Sequence, residues 1–245
     1  MKTLPGKLVL VPAPLSQNTL QADLLPTDLI KIRQIRSWLV ENTKTARHIL
    51  KIYAHPGPMA ELNIVEISDA LDDSKLVDFL ERQCLIGSVG VLSDAGCPGV
   101  ADPGARAVAA AHSLNIDIDP LVGPSSVLLA LMASGLNGQR FRFHGYLPVQ
   151  ADERRQVILA TERKSVRLIE TQIAIETPYR NNAFFAAVLQ VLQPNTRLCV
   201  ASDLTGPDQS IQSLTVDQWR QQSTTLPKIP TIFLWQGQAL QGKKV

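Results

Sequence analysis

The sequence predicts an α/β protein in two α/β halves, residues 1–120 and 121–245, with mostly parallel or mixed sheets and a ligand cleft faced by two strand exits. Three observations predict it. Short apolar runs alternate with helical patterns through the first half, as in a parallel sheet covered by helices on both faces. The run Ser88 to Leu92 stops at Ser93-Asp94-Ala95-Gly96, then passes Pro98-Gly99, Asp102 and Pro103-Gly104 before a helix begins at Ala105. A second strand empties into a helix through Leu121-Val122-Gly123-Pro124-Ser125-Ser126. In open α/β sheets the ligand crevice lies beyond the carboxyl ends of the strands. The first exit is long for a connection that usually takes about two to six residues. Glycine lets a ligand approach the backbone, and proline fixes the turn. Turns of this composition also serve as plain connections; the length of the first one favours a small-molecule site.

Each element follows from its pattern. Lys7 to Val11 reads as a buried first strand, ending in Pro12-Ala13-Pro14-Leu15-Ser16 with no G-x-G-x-x-G. Pro26 to about Ile35 reads as a helix, Trp38 to Val40 as a strand, and Thr45 to Ile52 as a helix with a basic face of Lys44, Arg47, His48 and Lys51. Asn63 to Ile67 is a strand. Asp72 to Cys84 is a helix with Leu76, Phe79 and Leu80 at helical spacing and an acidic first turn. Ile116 to Val122 is the strand leading to the second exit. In the second half, helices are expected at Ser125 to Ala133, Asp152 to Glu162 (at the surface), Phe184 to Leu192 and Thr215 to Gln222. Strands are expected at Phe141 to Tyr146, within Arg167 to Glu176, and at Leu198 to Ala201 and Thr231 to Trp235.

Composition narrows the function. The 245 residues are 45% hydrophobic and 19% charged, enough to fill a core. A net charge of +2 argues against a strongly basic nucleic-acid platform but allows a local basic patch. Cys84, Cys97 and Cys199 are widely spaced and read as reduced thiols of a cytoplasmic protein. No apolar run reaches the length of a membrane span, and the first residues make no signal peptide, so a soluble intracellular protein is expected.

Known catalytic patterns are missing. His48, His55, His112 and His144 have no metal-ligand spacing, and neither a G-x-S-x-G elbow nor a P-loop occurs. Glu176 and Asp203 each follow a strand, where a carboxylate holds a ligand or accepts a proton. The alternatives are a surface acid at Glu176 and a turn or cap at Asp203. Asp94 and Asp102 have the same turn-building alternative. Tyr179 and Arg180 are placed to stack on or pair with a substrate, and the face of Arg47 and His48 to meet phosphate.

Ser93-Asp94-Ala95-Gly96-Cys97-Pro98-Gly99-Val100-Ala101-Asp102-Pro103-Gly104 resembles the S-D-A-G-T-P-x-x-S-D-P-G of the S-adenosylmethionine-dependent tetrapyrrole methylase superfamily. It is most similar to the branch that methylates ribose in small-subunit ribosomal RNA. Leu121 to Ser126 resembles that branch's P-L-P-G-P-S, and Phe143 to Pro148 its F-x-G-F-L-P. Ile175 to Arg180 resembles F-Y-E-S-P-H-R, Asp203-Leu204-Thr205 E-L-T-K, and Glu41 to Lys44 E-D-T-R. Their order and spacing, from Lys7 to Gln236, make the signal strong together.

The resemblance implies two α/β domains of tetrapyrrole methylase type, S-adenosylmethionine held between them, and a homodimer. Carried across, the donor touches Leu15, Asp94, Ala95 and Gly96, with Gly99 and Val100 close by. Ser125 and Ser126 hold its adenosine side, and Glu176 with Ile229, Pro230 and Thr231 closes the pocket. The implied acceptor is a ribose hydroxyl in the RNA of the small ribosomal subunit. A porphyrin or corrin ring, or donor binding without turnover, are the alternatives. No catalytic base is assigned. Four departures are visible. T-P-I-G-N becomes Ala13 to Gln17; E-D-T-R loses its second acid at Asn42 and has Lys44 for arginine; Gly206 stands for the lysine of E-L-T-K; and K-G-E becomes Lys228-Ile229-Pro230. The donor side is better kept than the acceptor side.

Overall fold

The computed structural model describes residues 4–16 and 24–238. The chain divides into two units, Met1–Ser125 and Ser126–Val245.

The first unit alternates strand and helix: β1 (Leu8–Val11), α1 (Pro26–Ile32), β2 (Ser37–Val40), α2 (Thr43–Ile52), β3 (Asn63–Glu66), α3 (Asp73–Cys84), β4 (Val89–Leu92), α4 (Gly104–Ser113) and β5 (Ile118–Pro120). The sheet order is β3-β2-β4-β1-β5, and every pairing is parallel. β2 and β4 are buried along their whole length. That is why they read as unbroken apolar runs: a parallel sheet is covered on both faces. Side chains alternate across the strands. Val9, Val11, Trp38 and Val40 join Ile32, Ile49 and Leu50 of α1 and α2 in one core. Leu8, Leu39, Val89 and Val91 join Leu76, Leu80, Ala107 and Ala111 of α3 and α4 in the other. β5 is shorter than the sequence suggests, covering only 118–120 of the expected run. Leu121–Ser125 stays with the first unit, and the Leu121 amide donates to the Leu10 carbonyl at 3.0 Å.

The second unit holds α5 (Ser126–Ser134), β6 (Phe141–Tyr146), α6 (Ala151–Leu168), β7 (Thr171–Glu176), α7 (Asn181–Val191), β8 (Arg197–Ser202), β9 (Ser210–Thr215), α8 (Val216–Arg220) and β10 (Thr231–Gln236). Its sheet runs β6-β7-β10-β8-β9. β6 and β7 are parallel; β10 is antiparallel to both β7 and β8, and β8 is antiparallel to β9. Ala174, Phe233 and Trp235 of the sheet pack with Ile158, Phe184, Val188 and Trp219 of the helices.

Three differences from the sequence reading have physical causes. α6 runs on through Leu168, where a strand was expected, and stops at Ile169 in the left-handed conformation (φ 52°). α6 is also not wholly a surface helix: Glu162 is buried, accepting from the Gln193 amide at 2.7 Å and the Thr196 hydroxyl at 2.5 Å. β9 was not expected; it is a polar edge strand that, among the described residues, pairs with β8 alone. Among the described residues no helix is long and apolar enough to cross a membrane, and no group of acidic, histidine or cysteine side chains is arranged to hold a metal.

Candidate functional site

β4, β1 and β5 are neighbours in the first sheet, and Val11 pairs with Leu92 and Leu10 with Pro120. Their carboxyl ends therefore reach a common level, and their three exits emerge side by side. The exits are joined by hydrogen bonds. The Ala13 amide donates to the Gly96 carbonyl at 2.8 Å, and the Gly96 amide donates back at 3.1 Å. The Cys97 thiol donates to the Pro124 carbonyl at 3.3 Å. Gly96 is buried with φ +71°, a conformation that disfavours any side chain. A Cβ there would stand 3.3 Å from the Leu15 side chain and 3.7 Å from the Pro124 carbonyl. Leu15, Gly96 and Pro124 thus converge on one ledge. Asp102 braces the long turn: its carboxylate accepts from the Gly99 amide at 2.9 Å and the Gly104 amide at 2.6 Å.

The outer lip is acidic. Asp94, Ala95 and Val100 are exposed. The Asp94 amide donates to the Glu41 carboxylate at 3.0 Å. Partial burial pushes the Glu41 carboxyl above the usual carboxylate range, opposed by that hydrogen bond and reinforced by Asp94 and Asp102. Although the residue is exposed, partial desolvation of its carboxyl also raises Asp94, with a Thr45 hydroxyl opposing the shift and Glu66 adding to it. Glu66 itself accepts from the Thr43 amide at 2.7 Å, which lowers its carboxyl.

The structure therefore places Leu15, Asp94, Ala95, Gly96, Gly99, Val100 and Ser125 on these adjoining exits of the first unit. Ser126, Glu176, Ile229 and Pro230 belong to the second unit. There Glu176 ends β7 opposite Thr231. The Asn181 amide group donates to the Ile229 carbonyl at 2.8 Å and the Thr231 hydroxyl at 3.0 Å. Glu176, Ile229 and Pro230 are thus gathered at one end of the second sheet; Ser126 opens α5 and shares none of those bonds.

Glu176 is not a surface acid. It is 4% exposed, accepts from the Thr177 amide at 2.7 Å, and lies 2.8 Å from the Arg180 guanidinium. Asp203 is a turn builder: at φ 48° its carboxylate accepts from the Asp208 amide at 2.9 Å. A Cβ on Gly206 would overlap that carboxylate, so a lysine there would have to displace the Asp203 side chain. Asn42 caps α2, accepting from the amides of Lys44 and Thr45 at 3.0 Å. Gln17, the last residue of the altered first loop, lies outside the described residues. Sequence reasoning missed Asn181 and the Cys97 link; neither carries a pattern of its own. Glu41 was visible only as part of a motif.

No family model matches the chain. The chain is 28% identical over 213 residues to the ribosomal RNA small subunit methyltransferase I of Neisseria meningitidis serogroup A, covering 87% of this chain and 69% of that one. Its fold resembles that of the methyltransferase CobJ, with a TM-score of 0.59, 16% identity, and 96% and 95% of the two chains covered. That likeness shows the fold, and the expected two-sheet α/β class is borne out. With the ribosomal RNA small subunit methyltransferase I of Vibrio cholerae it shares 30% identity over 220 residues, 87% of this chain and 71% of that one. At that identity and coverage the chain belongs to the ribosomal RNA small subunit methyltransferase I family, a family of methyltransferases.

Proposed function

We propose that the chain transfers the methyl group of S-adenosylmethionine to a ribose hydroxyl of small-subunit ribosomal RNA, as a cytoplasmic homodimer. The stitched ledge of Ala13, Gly96, Cys97 and Pro124 is the observation that carries donor binding. When bound, the sulfonium supplies an activated methyl, so the protein's part is alignment and exclusion of water. Leu15 and Val100 offer apolar contact, Gly96 and Gly99 bare backbone, and Asp94 a carboxylate for hydroxyl or ammonium groups. Ser125 supplies a hydroxyl at the second exit. In the second unit, Ser126, Glu176, Ile229 and Pro230 are the residues that the resemblance offers for ligand contact. The acceptor is argued from the named relatives, which favour RNA over a tetrapyrrole. No proton acceptor is assigned, because Asp203 is committed to its turn and Glu176 to Arg180.

Calorimetry should show the donor and its demethylated product binding the pure protein. Gly96→Val should abolish that binding, and Ser125→Trp should weaken it severely. If neither ligand binds the wild type, the reading fails. Tritium from labelled donor should enter small subunits taken from a strain lacking this protein, and sedimentation should report a dimer. Donor affinity without transfer to RNA, tetrapyrrole or cell extract would favour a binding protein without turnover. The departures at Asn42, Gly206 and Pro230 support that second reading.

A further inference from the structure

On α2 the exposed residues Lys44, Arg47, His48 and Lys51 follow one another at helical spacing. At about 100° per residue they fall on one stripe, opposite the buried Ala46, Ile49 and Leu50. Their polar ends make no ion pair or hydrogen bond with any described residue. The stripe lines a shallow groove of about 550 Å³ with Asn42, Thr43 and Glu66. The one acid in that groove is already engaged by the Thr43 amide. Thr45, on the border between the exposed and buried faces of α2, reaches Asp94 on the acidic lip. A basic groove and an acidic lip thus share one helix.

We propose that the α2 groove seats the sugar–phosphate backbone of a single-stranded RNA segment. Phosphates are drawn to Lys44, Arg47 and Lys51 and repelled by Glu41, Asp94 and Asp102. That polarity orients the strand, keeping its phosphates on α2 and turning sugars toward the donor ledge. The inference rests on RNA being the acceptor. It differs from a solvated charged face in predicting a local, salt-dependent site.

The test is titration of a fluorescent oligouridylate without donor, so that it stands apart from the calorimetry of donor binding. Lys44→Gln, Arg47→Gln and Lys51→Gln are combined in one variant; glutamine keeps helix propensity at these exposed positions. Each phosphate contact on a single strand contributes a slope of about −0.7 in log affinity against log salt. Losing three should flatten the slope by about 2, so that wild-type affinity falls roughly 20-fold further than the variant's between about 50 and 200 mM salt. A second variant, Arg163→Gln with Lys164→Gln and Arg167→Gln, removes the same charge from exposed positions of α6 and should bind like wild type. Unchanged far-UV circular dichroism confirms that both variants fold. Equal losses in the two variants, an unchanged slope in the first, or equally tight binding of polyglutamate overturn the proposal.

Discussion

Asp94 and Glu41 lie on an exposed lip, yet partial desolvation of their carboxyls, with neighbouring acids, raises both above the usual carboxylate range. Such groups bind protons more tightly folded than unfolded. Their contribution to stability is therefore full below the unfolded carboxylate value and is lost as pH rises through the folded one. At neutral pH the ionised Asp94 opposes folding. Asp94→Asn should raise the thermal midpoint at neutral pH, and the gain should vanish below about pH 4, where unfolded carboxyls are also protonated. Donor affinity should fall in the same variant, a trade of function against stability common at binding sites. A midpoint that is unchanged or lower at neutral pH would contradict the assignment of a charge held at a cost. At Gly206 the expectation is steric: Gly206→Lys, which restores the lysine of E-L-T-K, should cost about 1–3 kcal/mol because Asp203 occupies the space. The midpoint of urea unfolding measures it. A neutral result would mean that the Asp203 turn relaxes freely.

At the scale of elements, α2 joins stability to the site. Its cap, Asn42, satisfies two amides that would otherwise lack partners. Asn42→Ala should cost about 1 kcal/mol in chemical unfolding, and Asn42→Asp should keep the cap. Equal losses from both would show that the carbonyl oxygen is not what matters. The sequence starts this helix at Thr45, because Asn42-Thr43-Lys44 read as the exit of a strand; the cap shows that it starts at Thr43. The same kind of ambiguity hid the end of α6. Val166 to Ile175 holds no glycine or proline to mark a stop, and Ile169 adopts the left-handed turn that glycine usually supplies. β9 escaped because Ser210-Ile211-Gln212-Ser213-Leu214-Thr215 is polar and bound along one edge only. The central strands were legible for the opposite reason, being buried on both faces. The long turn after β4 was legible as a site from its length and residue types. Its closure was not: the Ala13–Gly96 bridge and the Cys97 bond join residues far apart in sequence, and neither depends on a distinctive side-chain pattern.

For the molecule as a whole, the fold class was legible because apolar periodicity is strong and repeated, and the cores show what it encodes. Among the described residues, the buried members of two cores all lie within residues 8–121, and those of the third within residues 147–235. Each unit therefore carries the apolar contacts it needs, and its sheet closes without strands from the other. A fragment of Ser126–Val245 is of ordinary domain length. Its core contains Trp219, which donates to the Leu198 carbonyl at 2.8 Å, and Trp235, stacked on His144 at 6.3 Å between ring centroids. Expressed alone, this fragment should fold, with tryptophan emission shifted to the blue and a single cooperative urea transition followed identically by fluorescence and circular dichroism. Phe233→Ala removes a fully buried ring that packs on Phe184 at 4.7 Å, and should lower the fragment's stability by about 3–5 kcal/mol. A fragment that keeps helical dichroism but shows solvent-exposed tryptophan and no cooperative transition would refute the claim that this core specifies its unit unaided.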